Sequence, residues 1–206
     1  MQVDLNGPAG RLEALYEGPQ SPSFACLVCH PHPLHGGTMH NHATYRLAKA
    51  VLARSGAVLR INFRGVGLSQ GVHTGGVGET DDARAGMAWL AARHPTLPRY
   101  VAGFSFGAMV ALALGCGDSA VRGVLAVGVA PRAFPADFVA CPKPVAAIQA
   151  AADEFASPAE VERFLYVPGA PRRLAVVAGA SHLFVEDLDT LQREAEAGIS
   201  WLLETA

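Results

Sequence analysis

From about residue 24 onward this chain exchanges two patterns in regular turn, and that exchange limits its fold more than any other feature. Short unbroken apolar runs near 24–30, 57–62, 99–103, 122–128, 144–149 and 173–178 are predicted as strands buried on both faces. Between them, apolar residues recur at helical spacing. Leu47, Ala48, Val51 and Leu52 form one stripe that stops at Ser55-Gly56, with Gly56 suited to a left-handed cap. A second helix is expected from near Thr80-Asp81-Asp82, whose acids suit the helix dipole, to just before Pro95; a third follows Ser105. Ser157-Pro158-Ala159-Glu160 is a capping-box start for a helix through Leu165. Leu188, Leu191, Ala195, Ile199 and Leu202 mark a C-terminal amphipathic helix. Leu12, Ala14 and Tyr16 alternate with polar neighbours, which suggests an early half-exposed strand. The alternation predicts an α/β fold, with a mostly parallel central sheet and helices on both faces.

At 206 residues, with no repeat, charge run or low-complexity linker, the chain is expected to form one domain over 1–206. A composition of 50% apolar and 17% charged residues excludes a disordered protein. Sixteen basic residues against 18 acidic ones, for a net charge of −2, leave no basic stripe for nucleic acid. The segment Met1 to Asn6 has neither the basic nor the long apolar region of a secretory signal, which favours the cytoplasm. The charge-free stretch from Tyr100 to Gly117 invites a membrane-span reading, but glycines at 103, 107, 115 and 117 cut it into a strand, a sharp turn and a short helix. Of the four cysteines, Cys26, Cys29, Cys116 and Cys141, the first two form a C-x-x-C pair within a strand. There, positions three apart point to opposite faces and cannot share a metal or a disulfide.

Gly103-Phe104-Ser105-Phe106-Gly107 matches G-x-S-x-G, and it follows an apolar strand and precedes a helical run. In so tight a turn, bulky side chains beside the serine would clash, which accounts for the glycines. Ser105 Oγ would project above the sheet, with the Phe106 N–H aimed where an oxyanion would form. A serine hydroxyl needs a base to remove its proton and an acid to orient that base. His182 is the one histidine after Ser105, and it sits just past a predicted strand. Asp137, Asp153, Glu154, Glu160 and Glu162 lie between the two. Only Asp153 and Glu154 directly follow a strand; Asp153 is the preferred acid and Asp137 the fallback.

The segment from His30 to His42 holds five histidines in thirteen residues, so a metal site has to be weighed. It lacks H-E-x-x-H and any nearby carboxylate or cysteine ligand, and none is assigned. It follows a strand and precedes a helix, where a second oxyanion amide commonly arises. Pro31 and Pro33 have no N–H to give, so His32 is favoured as donor and Leu34 is second.

In these stretches the chain resembles a small, lid-less serine α/β-hydrolase of the dienelactone-hydrolase-like and short-chain carboxylesterase type. The resemblance rests on His30 to Met39, Asn62 to Ser69 with Gly71, Gly103 to Gly107, Asp153-Glu154 and Ser181-His182, in the family's order and across most of the chain. It implies Ser105 as nucleophile, Asp153 as acid, His182 as base, and amides of Phe106 and the His-Pro-His-Pro loop as oxyanion hole. It also implies that Arg64, Gly65 and Gly67 form a structural turn. Relatives often read G-D-x-D at the acid loop, where this chain has Ala150-Ala151-Ala152-Asp153. Only Val129 to Lys143, with prolines at 131, 135 and 142, separates two strand runs, so no cap domain is expected there. An open site encloses little of a long chain, which favours a small-molecule ester of short acyl length as substrate, with Phe134 and Phe138 as pocket walls and no cofactor. The rivals are a thioester, lactone or amide hydrolase with the same residues, a binding protein on the hydrolase fold, and a metal-dependent hydrolase built on the histidine loop.

Overall fold

A computed structural model describes residues 1–140 and 142–206. Cys141, one of the four cysteines considered above, lies outside the described residues. Eight strands form one sheet: β1 (Gln2–Gly7), β2 (Gly10–Glu17), β3 (Phe24–Cys29), β4 (Gly56–Ile61), β5 (Arg99–Phe104), β6 (Val121–Val127), β7 (Val145–Ala150) and β8 (Arg172–Val177). Their spatial order is β1-β2-β4-β3-β5-β6-β7-β8, antiparallel at the β1-β2 and β2-β4 pairs and parallel elsewhere. The six apolar runs become β3 to β8 within a residue or so at each end.

Five helices cover the two faces: α1 (His42–Ala53), α2 (Val77–Arg93), α3 (Phe106–Gly117), α4 (Pro158–Leu165) and α5 (Leu188–Thr205). One core packs α1 and α5 on Cys26, Val28, Val58 and Ile148; the other packs α2, α3 and α4 on Leu27, Cys29, Leu59 and Val101. Cys26 and Cys29 therefore lie on opposite sides of the sheet, both buried. Their burial pushes the Cys26 thiol up to about 12 and raises that of Cys29 as well. The stretch from Tyr100 to Gly117 is β5, a turn and α3, and among the described residues no helix is long and apolar enough to cross a membrane. Between β6 and β7 the described residues hold only a 3₁₀ turn, Pro131–Ala133, and no cap.

Three local expectations are corrected. The left-handed residue after α1 is Ser55 (φ 60°), not Gly56. Gly56 opens β4, and a Cβ there would lie 2.4 Å from the Phe24 ring, so the glycine serves packing. Helix α2 begins at Val77, three residues before Thr80, because Glu79 supplies the cap: its carboxylate accepts the N–H groups of Thr74 (2.9 Å) and Gly76 (2.7 Å). Asp82, expected to serve the dipole, is buried in a bidentate pair with the Arg64 guanidinium at 2.7 and 3.0 Å and also accepts the Arg64 N–H. That pair, with Gly65 (φ 75°) and Gly67 (φ 57°), fixes the turn after β4. Strand β1 has no counterpart in the sequence reading. It is an edge strand with Leu5 alone buried, held by hairpin pairing to β2. The capping box at Ser157 and Glu160 forms as expected and starts α4.

Candidate active site

The strand order reverses direction between β3 and β5: the chain first builds outward through β4 and then returns to build β5 to β8 on the other side. Crevices at such a switch point, beyond the carboxyl ends of the strands, collect ligand sites. The His30 loop leaves β3 there and the Ser105 turn leaves β5 there.

Ser105 has φ 54° and ψ −118°, a conformation in which side chains are rarely found. The flanking glycines make it possible. A Cβ on Gly103 would lie 2.0 Å from the Gly107 carbonyl oxygen, and one on Gly107 would lie 2.3 Å from that of Cys29. The turn is therefore pressed against both itself and β3, and the Ser105 N–H anchors it by donating to the Val127 carbonyl at 2.8 Å.

His182 is 4% exposed and brings its Nε2 within 2.9 Å of Ser105 Oγ. Its Nδ1 lies 2.8 Å from Asp153 Oδ2, and this carboxylate is fully buried. Phe104 and Phe155 flank the imidazole, with ring centroids at 5.5 and 4.6 Å. The His182 N–H donates to Glu154 Oε2 at 3.2 Å, so both acids after β7 hold this residue, one at the ring and one at the backbone. Asp137, the fallback acid, is exposed and lines a separate cavity.

The alanines of the acid loop do not leave Asp153 loose. Its Oδ1 accepts the Phe155 N–H at 2.9 Å, and its Oδ2 accepts from Gln149 Nε2 at 2.8 Å. Gln149, fully buried on β7, also donates to the Ala156 carbonyl (3.1 Å) and accepts the Val129 N–H (2.9 Å). One amide thus ties the acid to the end of β6 and to the loop before α4. Sequence reasoning missed Gln149, although it is the single polar residue of an otherwise apolar strand run.

On the other side, the His30 ring is buried. Its Nδ1 donates to the Pro31 carbonyl (2.6 Å) and its Nε2 accepts the Phe63 N–H (3.1 Å), which defines a neutral tautomer. Burial lowers its pKa to about 4, against the pull of the Pro31 carbonyl and of Glu79. His32 Nδ1 accepts the Leu34 N–H at 3.2 Å. The Leu34 amide is therefore already engaged, whereas the His32 N–H donates to no group among the described residues. The Phe106 N–H, first in α3, belongs to the helix-end donors that lack an intrahelical partner. Among the described residues no group of three or more His, Cys, Asp or Glu side chains is arranged to hold a metal.

A pocket of about 160 Å³ opens at Ser105, bounded by His32, Phe106, Met109, Ala130, Phe134 and Phe155. Phe134 thus lines this pocket, whereas Phe138 lines the adjoining cavity instead. Phe138 packs on Phe134 and Phe164 with centroids 4.7 and 5.4 Å apart, and this aromatic cluster turns it toward the adjoining cavity.

The fold has counterparts among known proteins. Residues 32–137 match the family model described as serine aminopeptidase, S33. XC6422 from Xanthomonas campestris, an α/β serine hydrolase without a lid, superposes with a TM-score of 0.89 at 30% identity, over 98% of this chain and 94% of that one. An α/β serine hydrolase homologue from Coxiella burnetii gives 0.89 at 32% identity, over 97% of each chain. The protein RP471 of Rickettsia prowazekii is 46% identical over 115 residues, which are 55% of this chain and 48% of RP471, so the match spans about half the length of that relative. With this fold, sheet order and family match, the chain belongs to the α/β serine hydrolases of the S33 serine aminopeptidase family, and it is similar over nearly its whole length to XC6422, which has no lid.

Proposed function

We infer that the protein is a carboxylesterase that cleaves short-chain acyl esters through an acyl-enzyme on Ser105. The observation that carries this reading is the continuous relay from Asp153 through His182 to Ser105, at 2.8 and 2.9 Å. His182 Nε2 takes the Ser105 proton as Oγ attacks the ester carbonyl, and the resulting oxyanion accepts from the Phe106 and His32 N–H groups. The tetrahedral species collapses as His182 hands that proton to the leaving alkoxide, which departs as the alcohol. Water then attacks the acyl-enzyme while His182 takes its proton, and return of the proton to Ser105 Oγ releases the carboxylic acid. Asp153 keeps the imidazole in the tautomer with Nδ1 protonated and stabilises the imidazolium. Each oxyanion donor is worth about 3 kcal/mol in the transition state. The small pocket at Ser105 and the lack of a cap among the described residues support short acyl groups.

The test is labelling by a fluorophosphonate followed by peptide mass analysis, alongside hydrolysis of p-nitrophenyl acetate. The wild type is expected to carry one adduct, on Ser105, and to turn over the ester. Ser105→Ala is expected to fold, to take no label and to lose turnover. Retained hydrolysis in the purified variant would reject the assignment.

A further inference from the structure

Beside the pocket at Ser105 lies a larger cavity of about 440 Å³, which the mechanism above does not use. The two volumes share Met109 and Phe134 as a common wall. Beyond that wall the lining is mostly apolar, with Thr80 and the exposed Asp137 as its polar side chains, and Met109, Ala113 and Gly117 recur every four residues along one face of α3. Opposite them stand Gly76 and Phe138, and the rim is formed by Val77 and Val139, which are 77% and 79% exposed. The Met109 methyl reaches across to Gly76, where an added Cβ would lie 2.7 Å from its Cε, so this part of the wall is the end of one flexible thioether chain.

A second cleft also opens at Ser105 and His182 and shares no lining residue with the larger cavity. It is bounded by Gly36, Asn41, Glu154 and Leu183, and it bears a carboxylate. An ester has two arms, and the placing of the walls sorts them: the Met109 side offers the apolar face of α3, whereas the other cleft includes His182 itself. The apolar arm matches the Met109 side, and the leaving alcohol matches the cleft beside His182 and Glu154, within reach of the group that protonates it.

We propose that the cavity beyond Met109 and Phe134 is an acyl-chain annex, which extends the substrate range from short acyl esters to straight-chain acyl esters of medium length, carried on small or polar alcohols. This rests on the ester-hydrolase reading above. The first carbons of the acyl group fill the pocket at Ser105; a longer chain displaces the Met109 methyl and continues along Ala113 toward Gly117. The outer rim is open, so the preference has no sharp upper cut-off.

The experiment is a series of p-nitrophenyl esters from acetate to octanoate, with the leaving group held constant. Each methylene that leaves water for the annex is expected to raise kcat/KM about fourfold until the chain reaches the rim. Ala113→Phe, which blocks the annex from a half-exposed helix position, is expected to flatten that rise beyond butyrate. Met109→Ala, which shortens the dividing side chain, is expected to raise the octanoate-to-acetate ratio. It also serves as the reading if Ala113→Phe melts early by circular dichroism. A companion series of acetates with lengthening alcohols is expected to stay flat. The annex is overturned if wild-type protein hydrolyses acetate with no gain for octanoate. It is also overturned if both folded variants keep the wild-type ratio, or if the alcohol series rises as steeply as the acyl series. Failure to hydrolyse any member, acetate included, with no fluorophosphonate adduct on Ser105, would instead overturn the ester-hydrolase reading and the annex with it.

Discussion

The Ser105 turn and the Asp153 loop both end parallel strands, yet they are held by different physics. Ser105 is held by exclusion: Gly103 and Gly107 lie so close to backbone carbonyls that no other residue fits, and the serine is forced to φ 54°. Asp153 is held by attraction: its carboxylate is placed by hydrogen bonds to Gln149, Phe155 and His182, and the alanines before it contribute backbone groups only, with the Ala151 and Ala152 N–H groups donating to the Val177 and Ala180 carbonyls. Steric locks are written in local spacing. Hydrogen-bonded supports depend on which strands become neighbours, so the two halves of one site differ in how they can be broken.

The largest effect is expected where the acid side meets the chemistry. In Asp153→Asn the amide can still occupy the buried site and face Gln149, but it stabilises the wrong His182 tautomer and cannot balance an imidazolium. A fall in kcat of about 10⁴ with little change in Tm is the expected outcome in ester hydrolysis and thermal melts. A fall of less than tenfold would remove Asp153 from the relay.

On the elbow side the corresponding break is structural. Gly107→Ala places a methyl 2.3 Å from the Cys29 carbonyl oxygen and 2.6 Å from that of His30, both of them backbone atoms that cannot swing away. A loss of about 3 kcal/mol, or roughly 10 °C in Tm, should accompany loss of fluorophosphonate labelling. If the variant melts with the wild type, the turn is not sterically locked.

This contrast also explains what could be read in advance. The elbow was legible because its signal lies within five residues and the flanking strand and helix announce themselves by apolar pattern. His182 was legible by position, as the one histidine after Ser105 at the end of a strand run. Asp153 could be chosen by the same logic, but its support could not, because Gln149 acts through β6 and the loop before α4, which only the folded sheet brings together. The same holds for Phe138, whose orientation follows from stacking on the distant Phe164. Strand β1 went unread because a two-stranded edge pairing needs only one buried side chain, Leu5. The helix boundaries that shifted, at Ser55 and Val77, were settled by a packing contact at Phe24 and by the Glu79 cap.

Gln149→Ala tests the attractive support without touching the reacting atoms. It leaves the Val129 N–H unpaired in the core and removes one donor from Asp153. Such an orphaned buried group costs about 2 kcal/mol, to be read in urea unfolding. A looser acid should lower kcat 10- to 100-fold while KM changes little, a split that simple destabilisation would not produce. Unchanged kcat in the folded variant would make Gln149 a packing residue only.

The smallest effect separates the two sides by pH. His30 belongs to the elbow side: its carbonyl faces Gly107, and its neutral ring bridges Phe63 and Pro31. With the folded pKa near 4 and an unfolded value near 6.5, the unfolded chain binds the extra proton between those limits. Stability from His30 is therefore complete above about pH 6.5 and is lost as pH falls toward 4, at a cost of about 2 kcal/mol between pH 7 and pH 5. Protonation would place a hydrogen on Nε2 against the Phe63 N–H, so the His30 loop and the β3 end lose their tie together. His30→Gln retains a group able to accept from Phe63 and donate to Pro31 but does not titrate. Urea unfolding of both proteins at pH 7 and pH 5 should show the wild type losing about 2 kcal/mol more than the variant. Equal losses would place the acid sensitivity elsewhere, and the elbow would then be held by its glycines alone.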